Sequence, residues 1–235
     1  MAETIDIDVD GKTVAAVLGM PQGGGIHPGI LVMHHQEGLS PFTRNLVDKL
    51  AGLGCVALAV DSYHPFPPGT DMKTCREGVT DPQMMRDTAA GVAYLRSSSR
   101  VQRDNLAVIG HCMGGRTALL AAETMPVFNG VVVYYGGGVF KPVAGGSSVG
   151  DRLGELRCPV IGFWGGRDRV IPNDQVDRIE AKLTEAAVPH EFHRYPDANH
   201  AFANFTVPED YRADADRHSW QCTVEFLRRT LKLAA

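Results

Sequence analysis

Leu106-Ala107-Val108-Ile109-Gly110-His111-Cys112-Met113-Gly114-Gly115-Arg116-Thr117-Ala118-Leu119-Leu120-Ala121-Ala122 passes from a short β-branched apolar run, through Gly-His-Cys-Met-Gly-Gly, into an Ala/Leu-rich helical pattern. That order predicts a strand, a sharp turn and a helix, with a nucleophilic side chain at the turn. In a nucleophile elbow, glycines two before and two after the nucleophile let the strand and helix backbones approach around a strained residue. Gly110-x-Cys112-x-Gly114 fits that spacing, with a thiol where serine is usual. The bland alternative is a buried structural cysteine beside a helix N-terminus.

On either side of this stretch, short apolar runs alternate with helical periodicities. Residues 4–18 alternate apolar and polar around Asp10-Gly11 and predict a β-hairpin. Ile30–Met33, Val56–Val60, Val131–Tyr135, Val160–Trp164 and Glu191–Tyr195 read as further strands. Helices are predicted over Phe42–Leu53, Asp81–Ser97, Met113–Thr124, Asn173–Ala187 and Ala213–Leu231. Asp81-Pro82 supplies an N-cap and a first-turn proline, and Gly54 a C-terminal stop. The Pro/Gly-rich stretch Ser62–Thr80 reads as a long loop, as does Gly136 to about Gly150. Continuous rather than alternating apolar strands indicate an α/β class: a mostly parallel central sheet with helices on both faces.

Composition narrows the field. A chain of 235 residues, 44% apolar, can bury a full core as one domain, 1–235. With net charge −4 and no Lys/Arg run longer than two, neither nucleic acid nor an acidic membrane surface is an expected partner. The start, Met1–Asp6, lacks a signal-peptide pattern, and no apolar run approaches spanning length. Five scattered cysteines (55, 75, 112, 158, 222) without CxxC spacing suit a reduced, cytoplasmic protein rather than a disulfide framework or zinc site. No cofactor or metal is expected. His34 and His35 are adjacent but have no third ligand at good spacing.

An elbow needs an acid and then a histidine, in that chain order, each following a later strand. Strand 160–164 runs into Gly165-Gly166-Arg167-Asp168, which makes Asp168 the candidate acid. Strand 191–195 runs into Pro196-Asp197-Ala198-Asn199-His200, which makes His200 the candidate base. Asp174 and Asp197 compete for the acid role, and His34 and His35 for the base, although both precede the nucleophile. An imidazolium beside a thiol stabilises the thiolate, and a carboxylate fixes the imidazole tautomer. One oxyanion donor is expected from the Met113 N–H, and a second from the segment His34–Gly38.

Cys112 in Gly-His-Cys-Met-Gly-Gly, Gln36-Glu37 after the first parallel strand, Asp168 and His200 together resemble the dienelactone hydrolases, over about residues 12–231. The resemblance implies the α/β-hydrolase fold and a Cys-His-Asp triad acting on a small ester or lactone. It further implies that Glu37 lies near the resting thiol and that the Gly38 N–H is the second oxyanion donor. In members that cleave carboxylated dienelactones, an arginine shortly after the catalytic histidine holds the substrate. Asn204 stands there in this sequence, so a different substrate is expected. Arg76 and Arg86 are candidates for the family's other arginine. Tyr63, Phe66, Tyr135 and Phe202 are candidate pocket walls, with loop packing as the alternative for Tyr63 and Phe66. An acyl transferase or thioesterase using the same triad, and a non-catalytic ligand-binding module on this scaffold, are the competing readings. A monomer or small homo-oligomer is expected.

Overall fold

Asp10 and Gly11, both at positive φ (52° and 77°), turn the chain tightly between β1 (Glu3–Val9) and β2 (Lys12–Gly19). In the computed structural model, which describes residues 1–142 and 148–233, this hairpin forms one edge of an eight-stranded sheet. The chain continues as β3 (His27–Met33), α1 (Pro41–Gly52), β4 (Val56–Val60), α2 (Met72–Gly78), α3 (Asp81–Ser97) and β5 (Val101–His111). Next come α4 (Met113–Thr124), β6 (Phe128–Tyr134), α5 (Val149–Arg152), β7 (Val160–Gly165), α6 (Asn173–Glu185), β8 (His190–Tyr195) and α7 (Ala213–Leu231). The strand order is β1-β2-β4-β3-β5-β6-β7-β8. β1–β2 and β2–β4 pair antiparallel, and every later pair is parallel.

Helices cover both faces, as the continuous apolar strands predict. On one face Leu31 packs where α3 offers only Gly91, whose Cβ would meet Leu31 at 2.7 Å. On the other, the Tyr134 hydroxyl shares a 2.8 Å hydrogen bond with Thr223 of α7. Register brings Met33 beside Gly110, His111 beside Tyr134, and Gly165 beside Tyr195. The loops after β3, β5, β6, β7 and β8 therefore open at one end of the sheet, where open α/β sheets bind ligands.

Two segments differ from expectation. The 62–80 loop contains α2, whose N-terminus is capped by Asp71 accepting from the Thr74 N–H at 3.0 Å. Proline and glycine on both flanks obscured this short helix. Within the loop expected after Gly136, α5 starts at a capping box between Ser148 and Asp151, and residues 143–147 lie outside the described residues.

Candidate active site

Cys112 sits between β5 and α4 with φ 54° and ψ −119°, a conformation that costs a side-chain-bearing residue energy. Its N–H donates to Tyr134 O at 3.0 Å, tying the turn to β6. A Cβ on Gly110 would lie 2.0 Å from Gly114 O, and one on Gly114 would lie 2.1 Å from Met33 O. Both obstacles are backbone, so neither glycine position can accept a methyl without moving the elbow. Gly114→Ala is expected to cost about 3 kcal/mol or more in stability, read as a lowered urea midpoint at unchanged slope.

The loops after β7 and β8 are held together by backbone bonds from Gly166 N to Tyr195 O (2.7 Å) and from Arg167 N to Ala198 O (2.9 Å). A Cβ on Gly165 would meet Ala198 O at 2.4 Å, which explains glycine at this close approach. That packing brings Asp168 to His200: Oδ2 lies 2.8 Å from Nδ1. The other carboxylate oxygen accepts from the Val170 and Ile171 N–H groups at 2.8 and 2.9 Å, so the acid is fixed from two sides. His200 Nε2 lies 3.2 Å from Cys112 Sγ. Burial disfavours the imidazolium, but the hydrogen bonds to Asp168 and Cys112 and their charges outweigh it and push His200 up to about 9. The rival acids stand elsewhere. Asp197 pairs with Arg167 at the surface, and Asp174 lies in the first turn of α6.

His34 and His35 are buried and committed to the fold. His34 Nδ1 is 2.7 Å from His35 O, and its Nε2 accepts from the Ser62 N–H at 3.1 Å. His35 Nε2 lies 2.7 Å from Ser40 Oγ. Burial and the neighbouring His34 charge push His35 down to about 4.

A cleft of about 600 Å³ opens above the sulfur, lined among others by Gln36, Arg76, Met113, Arg116, Lys141 and His200. The Met113 N–H stands at the start of α4, where no turn precedes it to accept its bond. Gly38 departs from expectation. Its N–H donates to His35 O at 3.0 Å, closing a turn with Gly38 at φ 65°. The N–H groups of Gln36 and Glu37 have no backbone acceptor among the described residues, and Gln36 borders the cleft.

Glu37 is half-buried, with its carboxylate 3.8 Å from His35 Nε2, and it makes no hydrogen bond to Cys112 among the described residues. Arg76 reaches the cleft and donates to Gln36 Oε1 at 2.9 Å. Arg86 instead turns to Gln83 (2.7 Å) and to Asp10 on the hairpin (3.5 Å). Asn204 is buried, and its Oδ1 accepts two bonds from Thr206, at 3.0 Å (N–H) and 2.7 Å (Oγ1). It holds a turn rather than facing the cleft.

Among the expected walls, the Tyr63 hydroxyl donates to Gln36 O at 2.8 Å and braces the loop after β3. Phe66 packs down on Gly78 of α2. Phe202 is core, against Tyr134, Tyr135 and Tyr195. Tyr135 is buried with its ring edge-on to His200, centroids 5.1 Å apart, and its hydroxyl has no hydrogen-bond partner among the described residues. Sequence reading missed Arg116. Its guanidinium binds Asp81 through two 2.8 Å bonds, joining α4 to α3 along the cleft wall. Its position four residues after Cys112, one helical turn along, was the available signal.

The sequence profile of the dienelactone hydrolase family matches residues 14–231. The chain belongs to the dienelactone hydrolase family. It is thereby a hydrolase acting on lactones or esters. A carboxymethylenebutenolidase from Rhodococcus opacus is 31% identical over 209 residues, covering 84% of this chain and 79% of the relative. A Klebsiella pneumoniae structure, provisionally named a dienelactone hydrolase, superposes with TM-score 0.90 at 25% identity, covering 97% of this chain and 98% of the other. A dienelactone hydrolase-like promiscuous phosphotriesterase from metagenomic libraries shares the fold, with TM-score 0.83, 21% identity and 98% of each chain covered. No helix among the described residues is long and apolar enough to cross a membrane.

Proposed function

We propose that this dienelactone hydrolase family member cleaves a small, carboxylate-bearing ester or lactone through a thioester on Cys112. The observation that carries the reading is the single imidazole bridging Cys112 Sγ (3.2 Å) and Asp168 Oδ2 (2.8 Å). With His200 as imidazolium, Cys112 attacks as thiolate and forms an S–C bond to the carbonyl carbon. The oxyanion is met by the Met113 N–H and by an N–H of the loop after β3. Gly38 serves only after the turn bond to His35 opens, whereas Gln36 and Glu37 need no such change. As the tetrahedral species collapses, the C–O bond breaks and His200 Nε2 gives its proton to the departing oxygen. In a lactone that oxygen stays tethered to the acyl group. Water then attacks the thioester while His200 takes its proton, and the C–S bond breaks to release the acid. Asp168 holds Nδ1 throughout.

The positive charges of Lys141 and of Arg76, whose contact with the Glu77 carboxylate is a long 3.7 Å, support an anionic substrate; Arg116 at the same cleft is engaged by two bonds to Asp81. Arg76→Ala is expected to lower kcat/KM for a carboxylated lactone about 10-fold relative to a neutral ester, the value of one charged hydrogen bond. Arg86→Ala should leave that ratio unchanged. Equal ratios in both variants would remove Arg76 from substrate binding.

The test of the nucleophile is direct. Acid quenching during turnover of a chromogenic short-chain ester, followed by peptide mass analysis, should place the acyl group on the peptide containing Cys112. Undiminished hydrolysis after complete alkylation of Cys112 would overturn the reading.

A further inference from the structure

Apart from the residues that line the cleft, three side chains with metal-binding chemistry converge from two elements. His218 and Cys222 are one turn apart on α7 and therefore share a face. His193 comes from β8 beneath them. One ligand atom from each of the three lies within 4.8 Å of the others. The His193 and His218 rings are 5.6 Å apart, and Cys222 Sγ is 3.8 Å from either ring nitrogen of His218. None of the three takes part in the reaction derived above, and the sequence reading expected no metal, because His193 and His218 meet only in the fold.

We propose that His193, His218 and Cys222 form a binding site for a borderline-soft divalent cation of the zinc type, clamping α7 to the edge strand β8. Two imidazoles and a thiolate are the donor set such a cation selects over magnesium or calcium, which take oxygen ligands. Zn–N bonds of about 2.0–2.1 Å and a Zn–S bond of about 2.3 Å put tetrahedral ligand atoms roughly 3.5 Å apart. The present separations close to that by about 1 Å through side-chain rotation, His218 being exposed and His193 and Cys222 partly so.

Neighbouring groups fit the same role. Glu191, two residues before His193 on the same face of β8, lies with Oε1 2.8 Å from His193 Nε2. A carboxylate on a ligand imidazole orients the ring and raises its basicity, and Glu191 or water is available as fourth ligand. The Tyr195 hydroxyl lies 2.9 Å from His218 Nδ1 and orients the second ring in the same way. The Glu191 carboxylate beside the cluster adds negative charge that favours a bound cation. Arg229, 3.3 Å from Glu191, carries an opposing charge there. On binding, the Cys222 proton passes to solvent as the S–metal bond forms, with no redox change. The clamp sits just before the loop that carries His200.

Cys112 and His200 are also a thiol–imidazole pair, so the test is made in Cys112→Ser protein, full length and metal-stripped. Titration with Co²⁺ should give a thiolate-to-cobalt charge-transfer band in the near ultraviolet and tetrahedral visible bands, saturating at one equivalent. The added substitution Cys222→Ser should abolish the charge-transfer band, and His218→Gln should weaken binding at least about 10-fold. Stoichiometric Zn²⁺ should displace the cobalt and raise the unfolding temperature of Cys112→Ser protein but not of the Cys222→Ser double variant. Circular dichroism confirms that both variants are folded. Absence of a charge-transfer band in folded Cys112→Ser protein, or a band that survives Cys222→Ser, overturns the proposal.

Discussion

Cys112→Ala is expected to lower ester hydrolysis by at least about 10⁴-fold, the scale of removing one member of a catalytic unit that acts together. Loss of activity alone would not separate a nucleophile from a residue that merely holds the elbow. His200 provides the distinguishing readout. In the intact protein it is pushed up to about 9, against burial, by its bonds to Asp168 and Cys112 and by their charges. Without the sulfur, one bond and one charge are gone, and the imidazole titration followed by NMR should move down. The linkage to stability has a definite sign. Because the folded value, about 9, lies above the ordinary 6.5, the stabilisation is complete below about pH 6.5 and is lost as pH rises through about 9. Wild-type unfolding temperature should therefore fall across that window, and Cys112→Ala should fall less steeply. An unchanged His200 titration in the variant would mean that the sulfur does not act on the imidazole.

Why these residues could be found in the sequence is a matter of locality. The elbow is written in glycines whose missing side chains answer to backbone contacts of 2.0 and 2.1 Å, so spacing alone reveals it. The chain order of acid and base follows from loops leaving successive parallel strands at one end of a sheet. The β1–β2 hairpin was legible for the same local reason, Asp10-Gly11 at positive φ.

Side-chain direction was not legible in that way. Nothing local in Gln36-Glu37-Gly38 says that the Glu37 carboxylate lies 3.8 Å from His35, a buried neighbour that is itself held by Ser40. Gly38 occupies the last position of a turn, which takes up its N–H. Asn204 carried a signal that alignment to a substrate-binding arginine masked. Asn-Phe-Thr is a sequence in which an asparagine side chain bonds the backbone two residues on, and it does so here. Arg76 and Arg86 could not be told apart by sequence, since one helix of the 62–80 segment was itself hidden. The His193–His218–Cys222 cluster joins a strand to a helix: the His218–Cys222 spacing on α7 is local, but the convergence of His193 with it is made only by the fold.

Asp168→Asn is expected to reduce kcat by about 10³–10⁴-fold while leaving the fold intact, and the reason lies in what each carboxylate oxygen does. Oδ1 accepts from the Val170 and Ile171 N–H groups, bonds that the asparagine carbonyl oxygen can still accept. The amide nitrogen must then face His200 Nδ1, where it donates rather than accepts. His200 is forced into the opposite tautomer, with hydrogen on Nε2 and no base directed at the sulfur or at water. The charge that favours the imidazolium is lost at the same time, so His200 should titrate well below its wild-type position. Cys112 alkylation near neutral pH should slow in parallel with hydrolysis, since both depend on the imidazolium beside the sulfur. KM should change little, because Asp168 is fully buried beneath the histidine and does not line the cleft. If Asp168→Asn retained alkylation and hydrolysis at wild-type rates, the acid would belong to the loop's architecture alone, and the Cys112–His200 pair would have to function as a dyad.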